Sequence, residues 1–234
     1  MTMKTSVKSR KTAASTCFDA LRTEILAGVR PPGQRLKIDQ LCQVYESSIN
    51  PVREALNRLS AEGFVLQEDQ RGFSVAPISL TEWRDTVAAR CLFESAAFKE
   101  AIRCRSALWE ENIVIALHWL SRTPRFLNEE QQSANPDWEP RHHAFHNALL
   151  ANCGSVSALA ICENLRERSD RYRHIASIAP QARKTYGDEH KAIAEAAISG
   201  EAELAVTSLI DHYHRTLQVV EAYFESAHAK LPRT

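Results

Sequence analysis

No apolar run in the 234 residues approaches the roughly 20 needed to cross a bilayer, which excludes a transmembrane helix. The start, MTMKTSVKSRKT, is basic but lacks the apolar core of a secretory leader. Six cysteines lie scattered at 17, 42, 91, 104, 153 and 162, with no CxxC pair among them. Such spacing argues against a disulfide framework and for small buried side chains in a reducing compartment. Repeats and low-complexity tracts are lacking, as is an HExxH motif of the kind that builds a zinc hydrolase on one helix. A cytoplasmic protein is expected.

An excess of charge is lacking too, since 29 Lys and Arg balance 29 Asp and Glu. The distribution is less even. Residues 1–78 hold 11 basic against 8 acidic side chains, and the remainder holds 18 against 21. A mildly basic front and acidic back suit a nucleic-acid-binding head on a different kind of body, although three charges are a weak signal alone. The length allows one large or two ordinary domains.

The front is organised around SSINPVREALNRLSAEGFVLQEDQRGFSV, residues 47–75. Val52, Ala55, Leu56 and Leu59 fall at i, i+3, i+4 and i+7, one apolar face of a short helix, while Arg53, Asn57 and Ser60 lie elsewhere on its surface. Ser47, Ser48 and Asn50 offer capping chemistry, Pro51 suits a first turn, and Gly63 stops the helix. Two strand-like runs, 64–67 and 73–76, follow around a polar tip that carries Arg71 and Gly72. Upstream, a helix is expected over 12–27, then a Pro31-Pro32-Gly33 turn, with residues 35–37 entering a second helix that ends near Tyr45. Helix, turn, helix, turn, helix and hairpin make a winged helix-turn-helix over 12–78, behind a basic disordered arm at 1–11. The third helix would enter the major groove and the wing would lie along the phosphates. Arg53 is expected at the DNA, with Ser48 and Asn50 near base edges or phosphates and Arg71 and Gly72 forming the wing contact.

AGVRPPGQRL, NPVREALNRLSAEGFV and RGFSVAP resemble the winged helix of the GntR superfamily of bacterial transcription regulators, with its GxxxPGxxL, PVREAL and GxxV pattern. The resemblance spans residues 15–78 and implies a regulator that binds a palindromic double-stranded operator as a homodimer. Ser48-Ile49-Asn50 stands where the family often has Ser-Arg-Thr, and Asp39 or Gln40 stands where an arginine is frequent. Two common DNA contacts are therefore missing.

Ser79 to Glu82 is a capping-box signature, and residues 79–234 read as an all-helical bundle, so the fold class is mainly α. Helices are expected from 79 to about 102 and over 106–121, 138–152, 155–177, 185–199 and 201–226, with 121–140 as the one long loop. His142 and His146, four apart, share a helix face, while His190 and His212 come from two later helices. Such a set can close on one ion inside a bundle, although a histidine pair at this spacing is more often a surface or capping feature. His143 and His214 point to other faces.

The C-terminal part resembles the FCD ligand-sensing domain of FadR-type GntR regulators. Its metal-binding members place an Asp four residues before a Phe-His histidine, then single histidines in two later helices. The matches are Phe145-His146, Glu189-His190 and His212, with His142 where the Asp would be. An all-imidazole set shifts preference from Mn²⁺ or Mg²⁺ towards Zn²⁺, with Ni²⁺ or Cu²⁺ as alternatives. Arg90 resembles the FCD arginine that clamps an effector carboxylate, and a structural pair with Glu94 is an equal alternative. Arg173 is a second effector candidate beside Arg171, and two residues apart on a helix they cannot both face inward. From Trp138 to Arg173 the chain looks nearest the carbon-starvation-induced repressor group, whose effectors are small dicarboxylates. The resemblance implies a repressor that responds to a small carboxylate. Its rivals are a zinc-dependent hydrolase built on the histidines and a helical adaptor with a vestigial wing.

Overall fold

The computed structural model describes residues 11–68, 71–128, 133–176 and 187–228, and the chain divides into two compact units between Ile78 and Ser79. The basic arm expected at 1–11 lies outside the described residues except for Lys11, as does the tip of the wing at Asp69 and Gln70. No described helix is long and apolar enough to cross a membrane.

In the first unit, α1 (Ala13–Leu26) is capped by Thr12, whose side chain accepts from the Ser15 amide. Next come β1 (Arg35–Leu36), α2 (Ile38–Val44), α3 (Ile49–Ala61), β2 (Val65–Glu68) and β3 (Gly72–Val75). The apolar face of α3 is buried as its periodicity requires, with Val52, Ala55, Leu56 and Leu59 at most 1% exposed. These side chains pack with Leu21, Leu41 and Phe64 into one core. Gly63 ends the helix with φ +81, a conformation that costs other residues.

Two expectations are corrected here. Residues 35–36 do not enter a helix but form the edge strand of an antiparallel sheet in the order β1-β3-β2, with Arg35 opposite Ser74 and Leu36 opposite Phe73. The turn at Gly33 sits against the wing: its amide donates to the Val75 carbonyl at 3.0 Å, and Val75 donates to the Gln34 carbonyl at 2.9 Å. Ser48 occupies the N-cap of α3, but its side chain makes no capping bond.

The second unit contains α4 (Leu80–Arg103), α5 (Ala107–Arg122), α6 (Trp138–Leu150), α7 (Val156–Ala176), α8 (Gly187–Ile198) and α9 (Ala202–His228). Ser79 caps α4 by accepting from the Glu82 amide at 3.0 Å. The long helices α4 and α9 pack together, α7 lies against both, and α5 pairs with α6. The expected loop at 121–140 holds a small hairpin of β4 (Phe126–Asn128) and β5 (Ser133–Ala134). Among the described residues the unit is otherwise helical.

Candidate nucleic-acid interface and metal centre

On the first unit, Ser48, Asn50, Arg53, Arg71 and Gly72 are all exposed. Arg53, Arg71 and Gly72 line one cleft between α3 and the wing. Arg35 and Lys37 line the same cleft, a pair of cations whose relevance emerges only when β1 is folded onto β3. Arg71 stands 3.6 Å from Glu68, an exposed pair of little energetic weight that phosphate can displace. Asp39 also lines the cleft, where the resemblance led one to look for an arginine. Four cations on the walls of an open cleft beside a helix N-terminus form a surface suited to phosphate.

In the second unit, His142 and His146 on α6, His190 on α8 and His212 on α9 are all buried, with ligand atoms within 4.8 Å of one another. The helical bundle therefore brings together all four residues that the spacing singled out. The two Nε2 atoms of His142 and His146 are 3.1 Å apart. For metal–nitrogen bonds of about 2.0–2.1 Å, neighbouring ligands are separated by roughly 3.0 Å at right angles and 3.3 Å in a tetrahedron, so the spacing fits one ion. The His190 and His212 ring centroids are 4.7 Å apart, and those of His146 and His212 are 5.4 Å apart.

Burial favours the neutral form at three of the four imidazoles. Burial holds His142 and His146 well below the ordinary histidine range, reinforced by Arg173 at the first and by His212 and His190 at the second. His212 is lowered by burial too, with Glu189 pulling the other way. Glu189 was named in the sequence only as the neighbour of His190. Its carboxylate accepts from His212 Nδ1 at 2.8 Å and from Arg215 at 2.7 Å. With the proton on Nδ1, His212 carries its lone pair on Nε2, the form in which an imidazole ligates a cation. Among the described residues, His146 Nδ1 is buried with no hydrogen-bond partner.

His142 is set differently. Arg173 Nη1 lies 3.1 Å from its Nδ1, and a guanidinium can only donate. A neutral His142 then carries its proton on Nε2 and donates it towards His146. The set thus fits a cation, with one condition: His142 joins through Nε2 only when Arg173 releases Nδ1. Arg173 is also held by Asp170 at 2.5 Å and Glu139 at 2.7 Å. His143 Nε2 meets Asp170 at 2.6 Å, so His143 belongs to this outer network, whereas His214 is exposed.

Arg171 and Arg173 are both buried, which corrects the expectation that only one could face inward. They do point to different sides, but α7 is buried all round at 169–173: the nearby carboxylate at Arg171 is Glu82 on α4, while Arg173 faces α6. Arg90 lies at 2.5 Å and 3.2 Å from the two oxygens of Glu94 and 4.0 Å above the Tyr213 ring, whose hydroxyl donates to the same carboxylate. Burial alone would push Arg90 down, but Glu94 outweighs it and holds the guanidinium firmly ionised.

A winged helix with a cationic cleft, covalently followed by a helical bundle around four buried imidazoles, is the make-up of a DNA-binding protein with a second, helical domain. Comparison with known proteins is specific about which kind. Residues 13–75 match the gntR family of bacterial regulatory proteins, and residues 85–215 match the FCD domain. The chain belongs to the GntR family with an FCD domain, and it is a transcription regulator, not an enzyme. It is 32% identical over 211 residues to an uncharacterized HTH-type transcriptional regulator, BphR, of Paraburkholderia xenovorans, covering 88% of this chain and 84% of that one. It is 28% identical over 205 residues to the HTH-type transcriptional repressor GlaR of Escherichia coli, covering 86% and 92%. Escherichia coli McbR/YncC shares the fold, with a TM-score of 0.74 at 18% identity over 92% of this chain and all of that one.

Proposed function

We propose that this regulator is a homodimeric repressor that holds a short palindromic operator until a small carboxylate effector binds beside a divalent ion in the helical domain. Zn²⁺ is the preferred ion and Ni²⁺ the alternative, since four neutral imidazoles favour borderline metals over hard ones. The ion would polarise the oxygens of a bound acid. The observation that carries the reading is the convergence of four buried histidines from three helices, with ligand atoms within 4.8 Å of one another, in a protein whose other unit is a winged helix.

In this reading Arg53 contacts the major groove, Ser48 and Asn50 sit at the N-terminus of the recognition helix, and Arg71 with the Gly72 backbone meets phosphate. Arg90 and Arg173 supply the positive field that draws an anion to the site, and direct contact with Arg90 requires the ligand to displace Glu94. Release of DNA requires the effector to favour the non-binding arrangement of the dimer, not merely to bind tightly. Repression is supported by the repressor name of the relative GlaR. A cytoplasmic location accords with DNA as the partner.

The test is native mass spectrometry of the purified protein, followed by fluorescence anisotropy with operator fragments selected from genomic DNA. A dimer mass carrying one zinc or nickel per chain, with salt-dependent operator binding, is expected. A metal-free protein that takes up neither ion, or one indifferent to all selected DNA, overturns the reading.

A further inference from the structure

The surface that α3 leaves open is polar apart from one large side chain. Asn50, Arg53, Glu54 and Asn57 are exposed, as suits an outward face, but so is Ile49, the first helical residue, at 51%. Ile49 lines the cationic cleft together with Arg53 and Arg71. The other apolar side chains of that cleft do not share its exposure. Leu36 and Phe73 are buried in the core, and Ile38 packs against it.

An isoleucine facing water needs no partner, but one pressed against nucleic acid does. Recognition helices bring their N-terminal residues to base edges in the major groove. There the base pairs present nitrogen and oxygen donors and acceptors and a single alkyl group, the C5 methyl of thymine. Against cytosine N4, or against N7 and O6 of guanine, the Ile49 side chain strips water from a polar edge and returns no hydrogen bond. Against the thymine methyl, both partners bury apolar surface.

From this placement we propose that Ile49 is a specificity residue that packs on the C5 methyl of a thymine in each operator half-site. The inference rests on the α3 docking face proposed above and names a base which that face selects. Arg53 follows four residues later on the same wall of the cleft, about 6 Å further along the helix axis. At a rise of about 3.4 Å per base pair, the thymine lies within about two base pairs of the base that Arg53 reads. Isoleucine carries no charge, so its contribution persists as added salt weakens the cationic contacts.

The experiment is fluorescence anisotropy of the full-length protein on its selected operator, with each thymine replaced in turn, in both half-sites, by deoxyuridine. That change removes one methyl and leaves base pairing intact. At one thymine position the loss expected from an unburied methyl is about fourfold per half-site, or about fifteenfold for the symmetric pair. Ile49→Ala should bind the unmodified operator more weakly and lose the response to deoxyuridine at that position. Ile49→Val, which keeps a branched contact, should retain the response. Any general effect of deoxyuridine on the duplex acts equally on all three proteins. An operator whose half-sites lack thymine, or one in which no thymine methyl affects binding, overturns the inference. So does a response to deoxyuridine that Ile49→Ala leaves intact at every position. Arg53→Ala is measured in parallel. Operator binding that depends on Arg53 but ignores both Ile49 and the methyl removes this inference alone, whereas indifference to Arg53 as well removes the docking face with it.

Discussion

Removing the ion from the histidine cluster is the most direct perturbation of the proposed site, and its size follows from linkage. A ligand that binds only the folded state adds about 2.7 kcal/mol of stability at a free concentration one hundred times its dissociation constant. For a domain in the 150–250 residue class, each kcal/mol moves the melting temperature by about 2–4 °C, so zinc at that excess should raise it by about 5–11 °C. Differential scanning calorimetry of chelated and zinc-reloaded protein reads the shift. His146→Ala should remove most of it, since this residue is 2% exposed and its Nε2 faces that of His142. His143→Ala should keep it, because that side chain is turned to Asp170. The pH dependence separates two effects. His142, His146 and His212 all have folded values lowered by burial, so the unfolded chain binds more protons near their unfolded value of about 6.5. The stability they allow is present above about 6.5 and is lost as pH falls from there towards the folded values. The zinc increment behaves differently: protons compete for the folded site only near the lowered values, so it should persist below pH 6. An increment that disappears with a midpoint near 6.5, or survives His146→Ala intact, would refute the argument.

Other perturbations probe single links. Arg53→Ala should weaken operator binding by about 1–3 kcal/mol if the residue reads a guanine, and unchanged anisotropy would put the docking face elsewhere. Glu189→Gln should cost about 10–100-fold in zinc affinity by competitive chelation, because the carboxylate that fixes the His212 tautomer is gone. Arg173→Met should raise zinc affinity by freeing His142 Nδ1, and a fall would mean that the arginine supports the site in another way. Arg90→Ala leaves the Glu94 charge buried and should destabilise the protein by about 3–5 kcal/mol, whereas Arg90→Ala with Glu94→Gln should recover much of that loss in urea unfolding.

How far the fold could be read from sequence depended on whether the signal was local. The apolar face of α3, the Gly63 stop and the Ser79 cap are each decided within one turn of helix, and all three stand as expected. Residues 35–36 misled because a two-residue strand has no period of its own; its identity comes from Ser74 and Phe73, nearly forty residues on. The hairpin within 121–140 escaped for the same reason, being two short strands of irregular register. The two arginines of α7 do take different faces, but the second face is packed as well, because that stretch of α7 has no side open to solvent.

The candidate site divides along the same line. Histidines at i and i+4 announce themselves, single histidines in two later helices complete a possible set, and a family resemblance strengthens it. What sequence cannot supply is which nitrogen each ring offers, because that is set by partners on other helices. Glu189 on α8 favours the His212 tautomer with its lone pair on Nε2, while Arg173 on α7 turns the neighbouring His142 into a donor. The substitution of histidine for the Asp expected at 142 then has a physical consequence. A carboxylate there could accept from Arg173 and bind a cation at once, through different oxygens. An imidazole has only one lone pair when neutral, so Arg173 and the ion compete for the state of one ring. In the proposed metal-bound state, affinity would therefore be coupled to the groups that hold Arg173 directly, Asp170 and Glu139.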